Sequence, residues 1–124
     1  MTVLPGNGRR VLIVDDAAEM RMLIRIALAD LGGFIVSEAA DATEALGMIR
    51  AERPDAVLLD VQLPGMDGPE LLALLREEGN AVPVVFLTAT AAAGSEELEN
   101  LDARGVLQKP FPVDELAARL ASLL

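Results

Sequence analysis

The stretch Ala56-Val57-Leu58-Leu59-Asp60 holds four apolar residues in a row and ends on a carboxylate. A continuous apolar run of this length suits a strand buried on both faces of a parallel sheet; a half-wet strand would alternate. The same form occurs upstream, where Val11-Leu12-Ile13-Val14 runs into Asp15-Asp16. It recurs downstream in Pro83 to Leu87, which ends at Thr88, and briefly in Val106-Leu107, which leads to Lys109-Pro110. Phe34-Ile35-Val36 supplies a further short strand.

Between these runs the apolar period changes to that of a helix. Met20, Leu23, Ile24, Ala27, Leu28 and Leu31 fall at helical spacing, with Arg21, Arg25 and Asp30 on the other side. Gly32-Gly33 is a helix stop. Asp41 and Glu44 form a capping-box-like pair, and Ala45, Leu46 and Ile49 follow on one side. Pro64-Gly65 and Asp67-Gly68 mark a loop, and Leu71, Leu74 and Leu75 a short helix after it. Residues 89–104 read less clearly: Ala91-Ala92-Ala93-Gly94 suits a helix start or a loop, and only Leu98 and Leu101 offer an apolar side. Val113, Leu116, Ala117, Leu120, Leu123 and Leu124 make a final amphipathic helix. Five strands alternating with five helices predict parallel βαβ units with right-handed crossovers and helices on both faces of the sheet.

The 124 residues fit one domain, with 1–9 as a polar lead-in and 10–124 as the domain itself. The formal charge of −10 and the three Phe with no Tyr or Trp argue against direct nucleic-acid binding, which needs basic and aromatic surface. There is no Cys and no His, so thiol chemistry, thiolate or imidazole metal sites and a histidine base are excluded. Met1 to Arg10 lacks a signal-peptide core, and no apolar run approaches a membrane span. A cytoplasmic location without a membrane partner is expected.

Parallel strands bring their carboxyl ends to one rim, where open α/β sheets bind ligands. That rim would carry Asp15, Asp16, Asp60, Thr88 and Lys109. A single strand-end Asp is more often a loop cap, a Thr there usually bonds backbone, and a lone Lys is usually solvated. Their joint occurrence is less easily explained that way, and Lys109 is the only lysine of the chain. Three carboxylates held together repel one another unless a cation joins them. An all-oxygen donor set favours magnesium. One carboxylate can then attack phosphorus and form an aspartyl phosphate, with the metal and Lys109 neutralising the phosphoryl oxygens.

These motifs resemble the receiver domains of two-component response regulators, the chemotaxis-type fold. The matching segments are Val11 to Asp16, Leu58 to Gly68, Phe86 to Ala89 and Lys109 to Phe111, and the likeness spans residues 10–124. The resemblance implies a single (βα)5 flavodoxin-like doubly wound sheet of strand order 2-1-3-4-5. It implies Asp60 as phosphoacceptor, and magnesium held by Asp15, Asp16, Asp60 and the backbone carbonyl of Gln62. It further implies Thr88 as a switch hydroxyl, Lys109 on the phosphoryl oxygens, a cis Lys109–Pro110 bond, and Gln62 and Thr90 as residues that tune dephosphorylation. The implied partners are a histidine kinase or phosphotransfer protein and an unknown downstream protein, with the chain a monomer or weak dimer. Such a domain catalyses only its own phosphorylation and slow hydrolysis.

Two departures stand out. Val106 occupies the position three before the lysine where the family usually has Tyr or Phe, so the usual coupling of that ring to the threonine cannot operate. The segment from Thr88 to Lys109 is also about one residue short. A degenerate receiver acting as a phosphorylation-independent interaction module is the first alternative. A phosphohydrolase with an aspartyl-phosphate intermediate is a second, but its second acid would fall on Gln62. A nucleotide-binding P-loop fragment is weaker still, for the chain has no G-x-x-x-x-G-K-[ST]. Both a single-domain regulator and the receiver of a longer protein fit this reading.

Overall fold

The computed structural model describes residues 3–89 and 101–124. The strands are β1 Arg10–Val14, β2 Ile35–Ala39, β3 Ala56–Asp60, β4 Val84–Thr88 and β5 Gly105–Gln108. They form one parallel sheet in the order β2-β1-β3-β4-β5. The helices are α1 Ala18–Arg25, α2 Ala42–Glu52, α3 Gly68–Glu77 and α4 Leu116–Ser122. A π-helical turn, Ile26–Asp30, continues α1. Of residues 89–104, read as a helix or a loop, 90–100 with Thr90 and Leu98 lie outside the described residues, and Leu101 to Arg104 are bends rather than helix.

Two-residue periodicity explains why both faces of the sheet need helices. Leu12, Val14, Val57, Leu59, Val84 and Phe86 point to one face and pack with Ala45 and Ile49 of α2 and Leu71 and Leu75 of α3. Val11, Ile13, Leu58, Val85 and Leu87 point to the other and pack with Ile24, Ala27 and Leu28 and with Leu116, Ala117 and Leu120 of α4. β3 and β4 are buried at every position, as their unbroken apolar runs require. β2 and β5 form the edges and are only partly covered.

Two local features differ from the sequence expectation. The amide of Leu31 bonds the carbonyl of Ile26 at 3.1 Å, so the π turn adds a residue and puts Leu31 out of helical phase. Leu31 is consequently 50% exposed, although its spacing placed it on the apolar side. Asp41 caps α2 by accepting the Glu44 amide at 2.8 Å, but the reciprocal capping box is found at the start of α3. There the Asp67 carboxylate accepts the Glu70 amide at 2.9 Å, and the Asp67 amide donates to Glu70 Oε1 at 3.4 Å. The lead-in is also tied to the domain: the Gly6 and Gly8 amides donate to the carbonyls of Gly32 and Gly33 at 2.7 and 2.9 Å.

Candidate metal and phosphoryl site

The register of the sheet delivers the strand ends to one rim. Asp60, the last residue of β3, pairs with Leu87, and Thr88 of β4 pairs with Gln108, next to Lys109. Asp15 follows β1 and is held by its amide, which donates to the Ala39 carbonyl at 3.2 Å. Lys109 is held likewise, its amide donating to the Thr88 carbonyl at 2.7 Å. The Lys109–Pro110 peptide is cis.

Asp15, Asp16 and Asp60 each offer an oxygen, and those oxygens lie within 4.8 Å of one another. Asp15 and Asp60 are buried and Asp16 is exposed, so the cluster opens to solvent on one side. Lys109 Nζ lies 3.0 Å from Asp15 Oδ2 and 3.3 Å from Asp60 Oδ2. The other oxygen of each buried carboxylate accepts a backbone amide: Ala17 to Asp15 Oδ1 at 2.9 Å, and Gln62 to Asp60 Oδ1 at 3.1 Å. These contacts fix both carboxylates in place, and each still has lone pairs for a further ligand.

Burial pushes the Asp60 carboxyl above the ordinary aspartate value. The Lys109 charge and the Gln62 amide oppose that rise, and the Asp15 charge adds to it. Burial would lower the Lys109 ammonium, but its hydrogen bond to Asp15 and the charges of Asp60 and Asp15 outweigh this and hold it above the ordinary lysine value. Lys109 therefore stays charged. Three carboxylates against one ammonium leave two negative charges uncompensated. A dication matches that deficit, and an all-oxygen donor set without nitrogen or sulfur suits a hard one. The residues present fit such an ion.

The loop after β3 returns close to the site. The Gly68 amide donates to the Val61 carbonyl at 3.0 Å, and a Cβ at Gly68 would meet the Asp60 carbonyl oxygen at 2.5 Å. Thr88 is buried at the rim. Val106 pairs with Phe86 and packs, half-buried, against the α2–α3 layer. Arg21 and Glu38 were not picked out by the sequence reading, yet the Arg21 guanidinium donates to the Asp15 carbonyl at 2.6 Å. Its position on the polar side of the first helix gave no signal of that contact.

A doubly wound parallel sheet with an acidic, lysine-closed rim at its carboxyl end defines the receiver class. The family model for the response regulator receiver domain matches residues 11–121, and the chain belongs to that family. It is a signalling domain of two-component systems. Response regulator MprA of Mycobacterium avium (strain 104) is 43% identical over 117 residues, 93% of this chain and 50% of that protein. The Mycobacterium tuberculosis (strain CDC 1551 / Oshkosh) response regulator MprA matches with the same identity and coverage. The chain thus spans about half the length of the curated relatives it matches. Among solved structures, the Francisella response regulator 1452 receiver domain superposes with a TM-score of 0.85 at 30% identity, over 94% of this chain and 96% of that one. Vibrio cholerae chemotaxis protein CheY4 gives 0.83 at 32%, over 94% and 99%. Thermotoga maritima TrrA, in complex with Mg(2+)-BeF, gives 0.82 at 29%, over 94% and 99%. Among the described residues no helix is long and apolar enough to cross a membrane.

Proposed function

We propose that this domain, residues 10–124, accepts a phosphoryl group on Asp60 in a magnesium-dependent reaction and passes the change on by protein contact. The observation that carries the reading is the charge deficit at the rim: three converging carboxylates, two of them buried, faced by one ammonium. In this reading Asp15, Asp16, Asp60 and the Gln62 carbonyl hold the metal. When bound, magnesium would supply positive charge to the phosphoryl oxygens. The complex of the similar TrrA with Mg(2+)-BeF supports that assignment.

The chemistry follows from the residues. An Asp60 carboxylate oxygen attacks the phosphorus of a phosphohistidine; the O–P bond forms, the N–P bond breaks, and the imidazole leaves with the electron pair. Lys109 is already charged and within reach, so it can stabilise the phosphoryl oxygens without a proton transfer. Thr88 gives a hydroxyl for one of those oxygens. Water later attacks phosphorus, releasing inorganic phosphate and restoring the Asp60 carboxylate. The donor is a histidine kinase or phosphotransfer protein and the receiver of the signal a downstream protein, in the cytoplasm. Such a domain turns over no other substrate. The phosphorylation-independent alternative draws support only from Val106, while the acidic cluster and its lysine are in place.

The test is incubation with magnesium and acetyl phosphate, read by intact mass. A single phosphoryl adduct is expected, absent without magnesium. No adduct in the presence of both would reject the proposal.

A further inference from the structure

The peptide that joins Asp15 to Asp16 has a dedicated partner. Its carbonyl, on Asp15, accepts a hydrogen bond from Arg21 Nη1 at 2.6 Å. Arg21 is itself held: its Nε lies 3.3 Å from Glu38 Oε1, on β2. The other Glu38 oxygen pairs with Arg25 Nη2 at 2.5 Å. Arg21 is 18% exposed in its side chain, so water competes little for these bonds. A guanidinium presents several donors in a fixed plane, so one side chain can serve a carbonyl and a carboxylate together.

The geometry matters because of what that peptide carries. Rotating it changes ψ of Asp15 and φ of Asp16 together. The Asp15 carboxylate has its own anchors in Ala17 and Lys109. The Asp16 carboxylate has no hydrogen bond or ion pair among the described residues, so its direction depends on the backbone that presents it. We propose that Arg21 is a positioning residue of the site: by gripping the Asp15 carbonyl, it orients the peptide that presents Asp16 to the metal, with Glu38 setting the guanidinium. This rests on the reading of the acidic cluster as a magnesium site.

Charge alone predicts the opposite sign: Arg21, Arg25 and Glu38 together place one net positive charge behind the acidic cluster, and removing a positive charge there should draw magnesium in more tightly. Arg25→Gln removes that same unit of charge without touching Asp15. The experiment is a magnesium titration of wild type, Arg21→Gln, Arg25→Gln and Glu38→Gln, read by calorimetry and by backbone amide shifts. Arg21→Gln is expected to weaken magnesium binding by about tenfold, the usual scale for loss of an outer-shell partner. It should also move the Asp16 and Ala17 amide signals before any metal is added. Arg25→Gln should stay within about twofold of wild type. Magnesium affinity of Arg21→Gln within about twofold of wild type, or an equal loss in Arg25→Gln, would overturn the proposal. Should Arg21→Gln not fold, Glu38→Gln decides. It keeps the guanidinium but removes its carboxylate anchor, and since the lost charge alone would weaken binding, the readout is the metal-free Asp16 amide, which should shift; an unchanged Asp16 signal would overturn the positioning role. Absence of magnesium binding by the wild type would overturn the metal reading, and this one with it.

Discussion

Lys109 Nζ stands 3.3 Å from Asp60 Oδ2, an ion pair closed between residues 49 positions apart. The contact exists because β3 and β5 flank β4 and run parallel to it, so the ends of all three reach one rim. The lysine is equally engaged with Asp15, at 3.0 Å. It sits as a shared counter-charge between two carboxylates, leaving the open, solvent-facing side of the cluster to a metal.

Removing that counter-charge separates two roles. In Lys109→Ala the carboxylates repel one another more strongly, so magnesium binding is expected to persist or tighten. Transfer from a small phosphodonor should slow by about a hundredfold, the scale for losing one stabilising donor to a developing oxyanion. Calorimetry and a timed mass assay measure the two. A loss of magnesium affinity would show that Lys109 builds the site rather than acting on the phosphoryl group.

The raised Asp60 carboxyl makes a pH prediction. Folding holds Asp60 above the ordinary value, chiefly through burial, so ionising it costs the folded state. The stability tied to the neutral carboxyl is fully present below the ordinary aspartate value and is lost as pH rises through the raised one. Metal-free protein should therefore gain Tm on acidification through that window, relative to Asp60→Asn. Magnesium affinity should begin to fall at a higher pH than an ordinary aspartate would dictate. Parallel Tm profiles for wild type and Asp60→Asn would contradict the first expectation.

Two glycines should respond with opposite sign to the same change. At Gly68 an added Cβ meets the Asp60 carbonyl oxygen at 2.5 Å and Val61 Cα at 3.1 Å, backbone atoms that cannot turn aside. Gly68→Ala should cost about 1–3 kcal/mol and displace the loop beside Asp60. At Gly47, inside α2 and exposed, a Cβ meets nothing within 4 Å. Gly47→Ala should add about 0.5–1 kcal/mol by helix propensity. Denaturant unfolding measures both.

The sheet and most of the site were legible because both rest on short periods. Runs such as Val11 to Val14 and Ala56 to Leu59 say that a strand is buried on two faces, and in a parallel sheet the polar residue ending each run must come to the rim. Asp15, Asp60 and Lys109 were found that way. Strand limits were less visible, since Ser37 to Ala39 join β2 only by pairing with Leu12 to Val14 across the chain. The π turn was hidden because one extra residue leaves the local pattern intact and shows only when Leu31 falls outside the core. The grip of Arg21 on Asp15 and Glu38 was hidden because it depends on where α1 lies against β2. An arginine on the polar side of a helix reads as solvated until that placement is known.

The most direct measurement locates the phosphoryl group. After reaction with acetyl phosphate and magnesium, borohydride reduces an aspartyl phosphate to homoserine, and peptide sequencing finds the converted residue. Conversion at Asp60 alone, abolished in Asp60→Asn and without magnesium, is the predicted result. Conversion at Asp15, Asp16 or elsewhere, or none despite a bound phosphoryl group, would contradict the assignment of Asp60.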